Sequence, residues 1–425
     1  MIKNTHKTAS HDKKLSILLL ISNLGLGGAQ RVFHDHSVAL GEHYSITEAV
    51  FNLDGGNIYP SKNELISLDV TGGGSALHKL RNFSRRIAGL RQLKHRLQPA
   101  VCISHLEGAD YVNLLSKGSE KIILCIHGSK LHDTNINGAL GWLRKKVLMP
   151  ALYNRADRIV TVSRDLIPEL VEGFGVKPEK LLTINNFFDV ARIELLSQLP
   201  LSAAEAAVYA EAPILVTAGR LSAQKNQAPL LTIFAALLER QPAKLVFVGD
   251  GELRADLTRQ ARDLGLRVYA IWEDTGLLTP DYDVYFLGMQ QNPFKYLRPA
   301  TVFVFPSAFE GFPLALGEAM ICGLPVLSTD CATGPREMLA PSTLAPALPL
   351  RQAERGAHGM LLPLLTQPAT LAADQAVWVN ALSQLLADPT ERAALSQAAR
   401  SRMQDFTPAR IVGQWRQLIE EVCRG

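Results

Sequence analysis

Residues 15–31, LSILLLISNLGLGGAQR, join a short apolar run to a glycine-rich turn. The run Leu15–Ile21 is too short to cross a bilayer, which needs about 20 residues. Lys13 and Lys14 precede it, as in a signal peptide, but the glycine-rich turn stands where a small-residue cleavage site would be. We therefore expect a buried first strand, a tight turn and a helix over residues 28–41.

Strands and helices are predicted to alternate through the first half of the chain. Short apolar runs indicate strands, and longer patterns with apolar positions three or four residues apart indicate helices. Further strands are expected at 45–51, 100–104 and 121–127, and further helices at 77–97 and 140–156. Strands separated by helices are typical of a parallel α/β sheet.

The same alternation starts again in the second half. Four apolar runs predict strands of another sheet, at 214–217, 245–248, 302–305 and 325–328. Residues 197–213 are Ala-rich with two prolines and are the predicted linker region. We expect an α/β protein with domains at 13–205 and 206–395. A C-terminal helical segment over 396–425 follows, and it can pack back on the first domain.

The composition is that of a globular protein. The chain has 425 residues, of which 47% are hydrophobic and 20% charged, and it is too long for one ordinary core. Its net charge of +4 is too small to indicate a nucleic-acid partner. The five cysteines include no C-x2-C pair and do not make a disulfide framework. We expect a cytosolic protein without a spanning helix.

Gly27 and Gly28 lie at the predicted junction of the first strand and helix. Ligands of open α/β sheets bind beyond the carboxyl ends of the strands, and a glycine turn there lets backbone N–H groups approach an anion. A dinucleotide-binding fingerprint would need Gly or Ala where this chain has Gln30. Contact with a phosphate or an acceptor stays open beside a plain tight turn.

Two cations follow the first strand of the second half. Gly219 and Arg220 come directly after this strand, and Lys225 lies a few residues later. A leaving diphosphate develops negative charge, which preorganised cations stabilise. The alternative is a solvated pair of surface cations.

The segment EGFPLALGE, residues 310–318, follows another predicted strand. Its glycine and proline indicate a loop, after which a helix begins at Leu314. The N–H groups of Leu314 and Ala315 would then point into the cleft and bind an anion without a cationic side chain. Glu310 is suited to accept hydrogen bonds from sugar hydroxyls. Glu318, one turn inside the helix, is suited to a diol such as ribose, or alternatively to a structural N–H.

Taken in order, these motifs resemble the family 4 retaining glycosyltransferases of the GT-B fold. The resemblance covers most of residues 15–340. The motifs that carry the resemblance are, in chain order, Gly27–Ala29, Val162-Ser163, Asn186, Asp189, Gly219-Arg220, Lys225-Asn226, Val248–Gly251, Phe286–Gly288 and the E-x7-E pair Glu310 and Glu318. It implies two Rossmann-like domains facing an interdomain cleft, and transfer of a sugar from a nucleotide-sugar to an acceptor hydroxyl.

The resemblance also implies roles for single residues. The predicted catalytic residues are Glu310, Arg220, Lys225 and His127. The predicted donor-binding residues are Gly27, Gly28, Gly219, Gly249, Leu287, Gly288, Gly311, Phe312, Leu314, Ala315 and Glu318. Arg220 and Lys225 would hold the diphosphate, and the backbone of 287–289 would read the base. His127 falls where the family often has a cleft histidine near the donor sugar; a structural hydrogen bond at a strand end is the alternative.

The reaction implied by the resemblance retains the anomeric configuration by front-face displacement, with the departing phosphate helping to deprotonate the acceptor. A UDP-hexose is the broader donor expectation. No metal or other cofactor is expected. Asp281–Asp283 offers the D-x-D of metal-dependent transferases of a different fold, but we interpret it as a solvated loop before a strand-like run. The histidines form no H-x3-H pair.

Residues 77–97 form a basic amphipathic pattern without acidic residues. Its apolar positions are Leu77, Leu80, Phe83, Ile87, Leu90, Leu93 and Leu97. Its cations are Lys79, Arg81, Arg85, Arg86, Arg91, Lys94 and Arg96, to which a later segment adds Trp142, Arg144, Lys145 and Lys146. Such a helix can lie on an anionic membrane surface. It can equally pack on the core with a solvated basic face, and both can hold together.

Residues 330–337, DCATGPRE, resemble a segment in the branch that transfers N-acetylgalactosamine to undecaprenyl-diphosphate-linked glycans. The plain alternative is a loop and a helix that starts at Pro335. The expected partners are a nucleotide-sugar, a glycan or lipid-linked acceptor and the inner face of an anionic membrane, without nucleic acid. Two other functions stay open: a non-hydrolysing sugar-nucleotide epimerase of the same fold, and a non-catalytic subunit that binds a glycan or a partner.

Overall fold

A seven-stranded parallel sheet forms the first half of the molecule. The computed structural model describes residues 14–131, 147–273, 278–343 and 349–424. The strands are β1 Ser16–Ile21, β2 Ser45–Val50, β3 Glu64–Ser67, β4 Val101–His105, β5 Lys121–Ile126, β6 Arg158–Thr161 and β7 Leu181–Thr183. Their order is β3-β2-β1-β4-β5-β6-β7. The predicted α/β class is confirmed. Strands β3, β6 and β7 were not predicted, since each contains only two consecutive apolar residues.

The helices of this half separate most of its strands along the chain. They are α1 Gly28–Gly41, α2 Ala76–Leu97, α3 Glu107–Leu115, α4 Met149–Tyr153 and α5 Leu166–Pro168. The helices predicted over 28–41 and 77–97 are confirmed. Of the helix predicted over 140–156, residues 140–146 lie outside the described residues, and the remainder contains α4.

A second sheet of eight strands forms the other half, as predicted from the restarted pattern. Its strands are β8 Ile214–Ala218, β9 Lys244–Val248, β10 Val268–Ala270, β11 Val284–Phe286, β12 Val302–Phe305, β13 Val326–Thr329, β14 Glu354–Arg355 and β15 Met360–Leu362. The order is β10-β11-β9-β8-β12-β13-β15-β14. Neighbouring strands are parallel except for β14 and β15. Two Rossmann-like sheets are therefore present.

Ten further helices belong to the described residues of the second half and the connections around it. They are α6 Val190–Ser197, α7 Ala203–Glu211, α8 Ala228–Leu238, α9 Arg254–Asp263, α10 Phe294–Leu297, α11 Leu314–Ile321, α12 Pro335–Leu339, α13 Leu371–Ala387, α14 Pro389–Met403 and α15 Pro408–Arg424. Helix α7 lies inside the predicted linker 197–213. Ser202 and Glu205 form a reciprocal capping box there, which starts a helix in Ala-rich sequence.

Aromatic side chains connect the two halves. Trp415 on α15 contacts His36 on α1, with ring centroids 4.9 Å apart. Phe312 packs edge-on against Phe406 with centroids 5.1 Å apart, and the backbone N–H of Phe188 donates to the Phe406 carbonyl over 2.9 Å. The end of the chain thus contacts both the first helix and the loop before α11.

The apolar residues of helix α2 are exposed at its start and buried in its second half. Leu90 and Leu93 are buried in a core cluster with the first sheet, whereas Leu77 and Leu80 are 78% and 62% exposed. The apolar stripe therefore faces the core in the second half of the helix and solvent in its first turn. The described helices include none that is both long and apolar enough to cross a membrane. Trp142, Arg144, Lys145 and Lys146 lie outside the described residues.

Lys94 does not belong to the basic face that the sequence predicted for α2. Its ammonium is buried and forms a 2.8 Å ion pair with Glu120, and both side chains are only 3% exposed. It also donates to the carbonyl oxygen and the side-chain oxygen of Asn113, over 2.9 and 2.7 Å. The helical pattern places Lys94 beside Leu93 and Leu90, so the core includes this cation together with its partners.

Candidate active site

Two helix N-termini meet in the cleft between the sheets. Helix α1 begins at Gly28 and α11 begins at Leu314; neither has a side-chain cap or an acidic first turn in the described part of the chain. A Cβ placed on Gly28 would lie 3.9 Å from Cδ1 of Leu314. The free N–H groups and positive dipole ends of both helices are therefore close together, which is an arrangement that binds anions.

Lys225 and Glu310 form a mostly buried ion pair, and Glu310 lies four residues before the start of α11. The Nζ to Oε1 distance is 2.6 Å, and the side chains are 19% and 6% exposed. The Lys225 ammonium also lies 5.1 Å from the ring centroid of Phe305, at the end of β12. The next residue, Asn226, holds the turn by donating to the carbonyls of Pro306 and Leu365. The structure thus brings together two of the four predicted catalytic residues.

Arg220 is placed differently from Lys225. Its side chain is 68% exposed, and its Nε lies 3.0 Å from Oε2 of Glu252, which is also exposed. Its backbone carbonyl accepts a 2.9 Å hydrogen bond from Gln227, so the turn is fixed while the guanidinium lies at the surface. Diphosphate binding by Arg220 stays a prediction, and it requires the guanidinium to exchange Glu252 for the ligand.

The predicted glycines at the ends of β8, β9 and β11 pack against one another. Gly249 has φ +146°, and a Cβ there would overlap the carbonyl of Gly219. Its N–H donates to the Gly288 carbonyl over 2.9 Å. Leu287 is buried; its N–H donates to Phe247, and its carbonyl accepts from Gln290. Both backbone hydrogen-bonding groups of Leu287 are thus engaged within the protein, and base recognition by the backbone of residues 287–289 stays a prediction.

The loop before α11 rests directly on the first domain. A Cβ on Gly311 would overlap the carbonyl oxygen of His127, so this contact requires glycine. The Phe312 side chain is buried and packs against Phe188 and Phe406. Donor binding by Phe312 stays a prediction. Because the side chain is buried, only the Phe312 backbone can contact a donor. The remaining predicted donor-binding residues are Gly27 and Ala315, which lie at the N-termini of α1 and α11.

Glu318 meets a cation from the opposite domain that the sequence prediction omitted. Nη1 of Arg31, in the first turns of α1, lies 3.8 Å from Oε1 of Glu318, and the Nε of Arg31 lies 3.2 Å from Asp35. Burial raises the pKa of Glu318 to about 7, although Arg31 acts in the opposite direction. Arg31 lies in the stretch quoted first, but nothing in its spacing indicated a partner in the second domain.

His127 is partly exposed and forms a hydrogen bond with a histidine that the sequence prediction also omitted. Nε2 of His127 lies 2.8 Å from Nδ1 of His105, and the two rings stack with centroids 5.0 Å apart. Although His127 is partly exposed, the protein atoms packed around its ring desolvate it and lower its pKa to about 3. The strand register brings the two histidines together, because His105 is opposite Cys125 in the parallel pair β4–β5 and His127 follows two residues later. Nothing in the sequence spacing indicated this register.

The same residues offer a group of metal-ligating atoms. The ligand atoms of His105, Cys125 and His127 lie within 4.8 Å of one another. Two imidazoles on one tetrahedral zinc would have nitrogens about 3.3 Å apart, given bonds of about 2.0–2.1 Å. The observed 2.8 Å separation is that of a hydrogen bond instead. The absence of a metal requirement stays a prediction.

The D-x-D sequence at 281–283 is only partly the solvated loop that was predicted. The carboxylate of Asp283 is held by Arg267, with an Nη2 to Oδ1 distance of 2.6 Å, and its side chain is 18% exposed. Hydrogen bonds from the Arg267 side chain and backbone lower the pKa of Asp283 despite the opposing effect of burial. Asp283 therefore serves to join β10 to the start of β11.

The DCATGPRE segment supports the loop that carries Glu310. The hydroxyl of Thr333 donates to the Glu310 carbonyl, and α12 begins at Pro335 as predicted. The Glu337 carboxylate accepts from the backbone N–H of Arg164 over 2.7 Å and from Asn185 over 2.8 Å. This segment therefore links the loop that carries Glu310 to the first domain.

Comparison with known proteins identifies both halves of the chain. The model for Glycosyltransferase Family 4 matches residues 26–192, and the model for Glycosyl transferases group 1 matches residues 212–388. An uncharacterized glycosyltransferase from Methanocaldococcus jannaschii is 27% identical over 361 residues, which cover 79% of this chain and 83% of the relative.

Two further similarities concern a curated enzyme and a solved structure. N-acetylgalactosamine-N,N'-diacetylbacillosaminyl-diphospho-undecaprenol 4-alpha-N-acetylgalactosaminyltransferase from Campylobacter jejuni is 31% identical over 46% of this chain and 47% of its own length. The structure of Anabaena HepE in complex with UDP-glucose has a TM-score of 0.72 and 18% identity, covering 96% of this chain and 100% of that chain. With both family models matched in succession and the two-sheet fold shared, the chain belongs to the family 4 glycosyltransferases of the GT-B fold and is a sugar-transferring enzyme.

Proposed function

We propose that this enzyme transfers a hexose or N-acetylhexosamine from a UDP-sugar, with retention, to a glycan or polyprenyl-diphosphate-linked acceptor. The observation that carries the proposal is the Lys225–Glu310 ion pair beside the facing N-termini of α1 and α11. A diphosphate fits the two helix ends, and a neutral sugar fits a carboxylate held by a cation. No metal is part of the proposed donor site.

The proposed reaction needs few protein groups. The bond between the anomeric carbon and the diphosphate oxygen breaks, and the acceptor oxygen forms its bond to that carbon on the same face. The acceptor proton passes to an oxygen of the departing phosphate. Lys225 and the N–H groups at Gly28 and Leu314 stabilise the negative charge that grows on the leaving group. Glu310 holds sugar hydroxyls, and Glu318 holds the ribose.

A uridine nucleotide is the expected donor carrier. HepE, which shares the fold, was solved with UDP-glucose, and this similarity supports UDP as the first choice. At 100 times its dissociation constant, a ligand stabilises the folded state by about 2.7 kcal/mol. In thermal-shift measurements with UDP, GDP, ADP, CMP and NAD, we expect UDP alone to raise the melting temperature by several degrees.

The thermal-shift measurement has a matched control variant. Lys225→Ala should abolish the UDP shift, whereas Lys177→Ala, at an exposed position outside the motifs, should keep it. A shift with NAD alone would contradict the transferase proposal. A shift with a different nucleotide diphosphate would replace UDP as donor carrier, and no shift at all would favour the non-catalytic alternative.

The acceptor proposal follows from a relative and from the surface of α2. The Campylobacter enzyme is named for an undecaprenol-linked substrate, which supports a lipid-linked acceptor here. The exposed first turn of α2 presents Leu77 and Leu80 beside Lys79 and Arg81, and Arg85 is exposed one turn later. We propose that this surface contacts anionic lipid at the cytoplasmic face of the membrane.

Vesicle binding tests this contact. We expect co-sedimentation with phosphatidylglycerol vesicles at low salt and not with phosphatidylcholine vesicles. Arg81→Glu with Arg85→Glu should weaken binding by at least about 2 kcal/mol, since each surface cation contributes about 1 kcal/mol. The matched control is Arg259→Glu with Arg262→Glu on α9, which should bind as the wild type. Equal binding by both double variants would contradict the assignment to α2.

A further inference from the structure

Three histidines lie together beside the candidate site. His105 ends β4, His127 follows β5, and His36 lies on α1. The ring centroids are 5.0 Å apart for His105 and His127 and 5.5 Å apart for His36 and His105. The hydrogen bond in this group joins Nδ1 of His105 to Nε2 of His127 over 2.8 Å. His105 and His36 are buried, and His127 is partly exposed.

The hydrogen-bonded pair has two arrangements of its protons. Burial, reinforced by the neighbouring histidines, lowers the pKa of His105 well below its usual value, and burial lowers that of His127 to about 3. Each ring is therefore neutral and carries one N–H. In the first arrangement, His105 donates from Nδ1 and His127 carries its proton on Nδ1. In the second, His127 donates from Nε2 and His105 carries its proton on Nε2.

The surroundings of His105 distinguish the two arrangements. Its Nε2 is buried and has no hydrogen-bond partner among the residues that the structure describes. The second arrangement would leave a buried N–H without an acceptor, which is rare in native proteins. The first leaves only a nitrogen lone pair unmatched, which is more often tolerated.

We propose that His105 is a positioning residue that fixes the proton of His127 on Nδ1 and so makes His127 a hydrogen-bond donor toward the donor sugar. That the group bound by His127 is a donor sugar rests on the transferase function proposed above. The carbonyl of His127 lies against Gly311, directly after Glu310 in the chain. A sugar placed there meets an N–H from His127 and a carboxylate from Glu310, which together select hydroxyl orientation.

The tautomer can be measured in the free wild-type enzyme. Long-range proton–nitrogen correlation spectra of ¹⁵N-histidine-labelled protein distinguish protonated from unprotonated ring nitrogens, and His127→Gln identifies the His127 signals. We expect a protonated Nδ1 and an unprotonated Nε2. A protonated Nε2, alone or together with Nδ1, overturns the proposal. The measurement needs no substrate, so its outcome is independent of whether any UDP-sugar binds.

Variants of His105 test the consequence for catalysis. The measured quantity is the initial rate of UDP release by slow hydrolysis, with water taking the sugar, from UDP-glucose, UDP-galactose, UDP-N-acetylglucosamine and UDP-N-acetylgalactosamine. For the best of these donors, His105→Leu should lower kcat/KM about 10-fold, the size of one lost hydrogen bond. His105→Asn retains a side-chain N–H donor near the Nδ1 position and should recover kcat/KM to within about 3-fold.

His36→Leu is the matched control, because His36 is also a buried histidine that touches the His105 ring without bonding to His127. It should leave the His127 tautomer unchanged. If folded His105→Asn is as impaired as His105→Leu, the proposed donor role is wrong. If the tautomer is as expected but no UDP-sugar is hydrolysed by the wild type and UDP does not raise its melting temperature, the transferase proposal fails while the structural assignment of His105 stands.

Discussion

Replacing Lys225 with alanine is expected to lower kcat by on the order of 10²–10³-fold, the loss typical of removing one preorganised group that stabilises transition-state charge. The ammonium lies 2.6 Å from Glu310 and is mostly buried, so solvent cannot readily replace it. The KM for the donor should change less than kcat, because the charge on the diphosphate grows as the glycosidic bond breaks. Initial rates of UDP release by hydrolysis, with water as the acceptor, give both constants.

Two comparisons separate this loss of catalysis from a nonspecific effect of the substitution on the folded enzyme. Lys177→Ala, which removes an exposed lysine, should retain wild-type rates. Combining Lys225→Ala with Glu310→Gln should cost less than the sum of the two single losses, because the paired residues act as a unit. A Lys225→Ala enzyme with kcat within about 3-fold of the wild type would contradict the assigned role.

Lys94→Ala is expected to lower the free energy of unfolding by about 3–5 kcal/mol, because it leaves the Glu120 carboxylate buried without its cation. The ammonium contacts Glu120 over 2.8 Å, and it also donates to two oxygens of Asn113. Lys79→Ala, on the exposed first turn of the same helix, should change stability by no more than about 0.5 kcal/mol. Urea unfolding followed by circular dichroism provides the measurement.

A double substitution tests the stated cause. Lys94→Met with Glu120→Leu removes both charges and keeps apolar volume, so most of the lost stability should return. If the double variant is as unstable as Lys94→Ala, the loss comes from packing and not from an unpaired buried charge. If Lys94→Ala unfolds like the wild type, the ion pair contributes nothing measurable.

The fold class followed from local sequence because several of the long buried strands are continuous apolar runs. Ser16–Ile21 and Lys244–Val248 are almost wholly apolar, so their position in a sheet did not depend on distant residues. Strands such as Leu181–Thr183 are too short to make such a signal and exist because a neighbouring strand pairs with them. Helix α7 was hidden inside a presumed linker, although its capping box was present in the sequence.

The sequence by itself determined the two-domain α/β architecture, the transferase family and the loops that carry Glu310 and Lys225, because these depend on apolar periodicity and on local spacing. Tertiary structure alone decided which groups meet. It buried Lys94 against Glu120, joined Arg31 to Glu318 across the cleft, and set His105 against His127. Each of these pairs unites residues on different elements, so its distance depends on strand register and domain packing, which no spacing along the chain specifies.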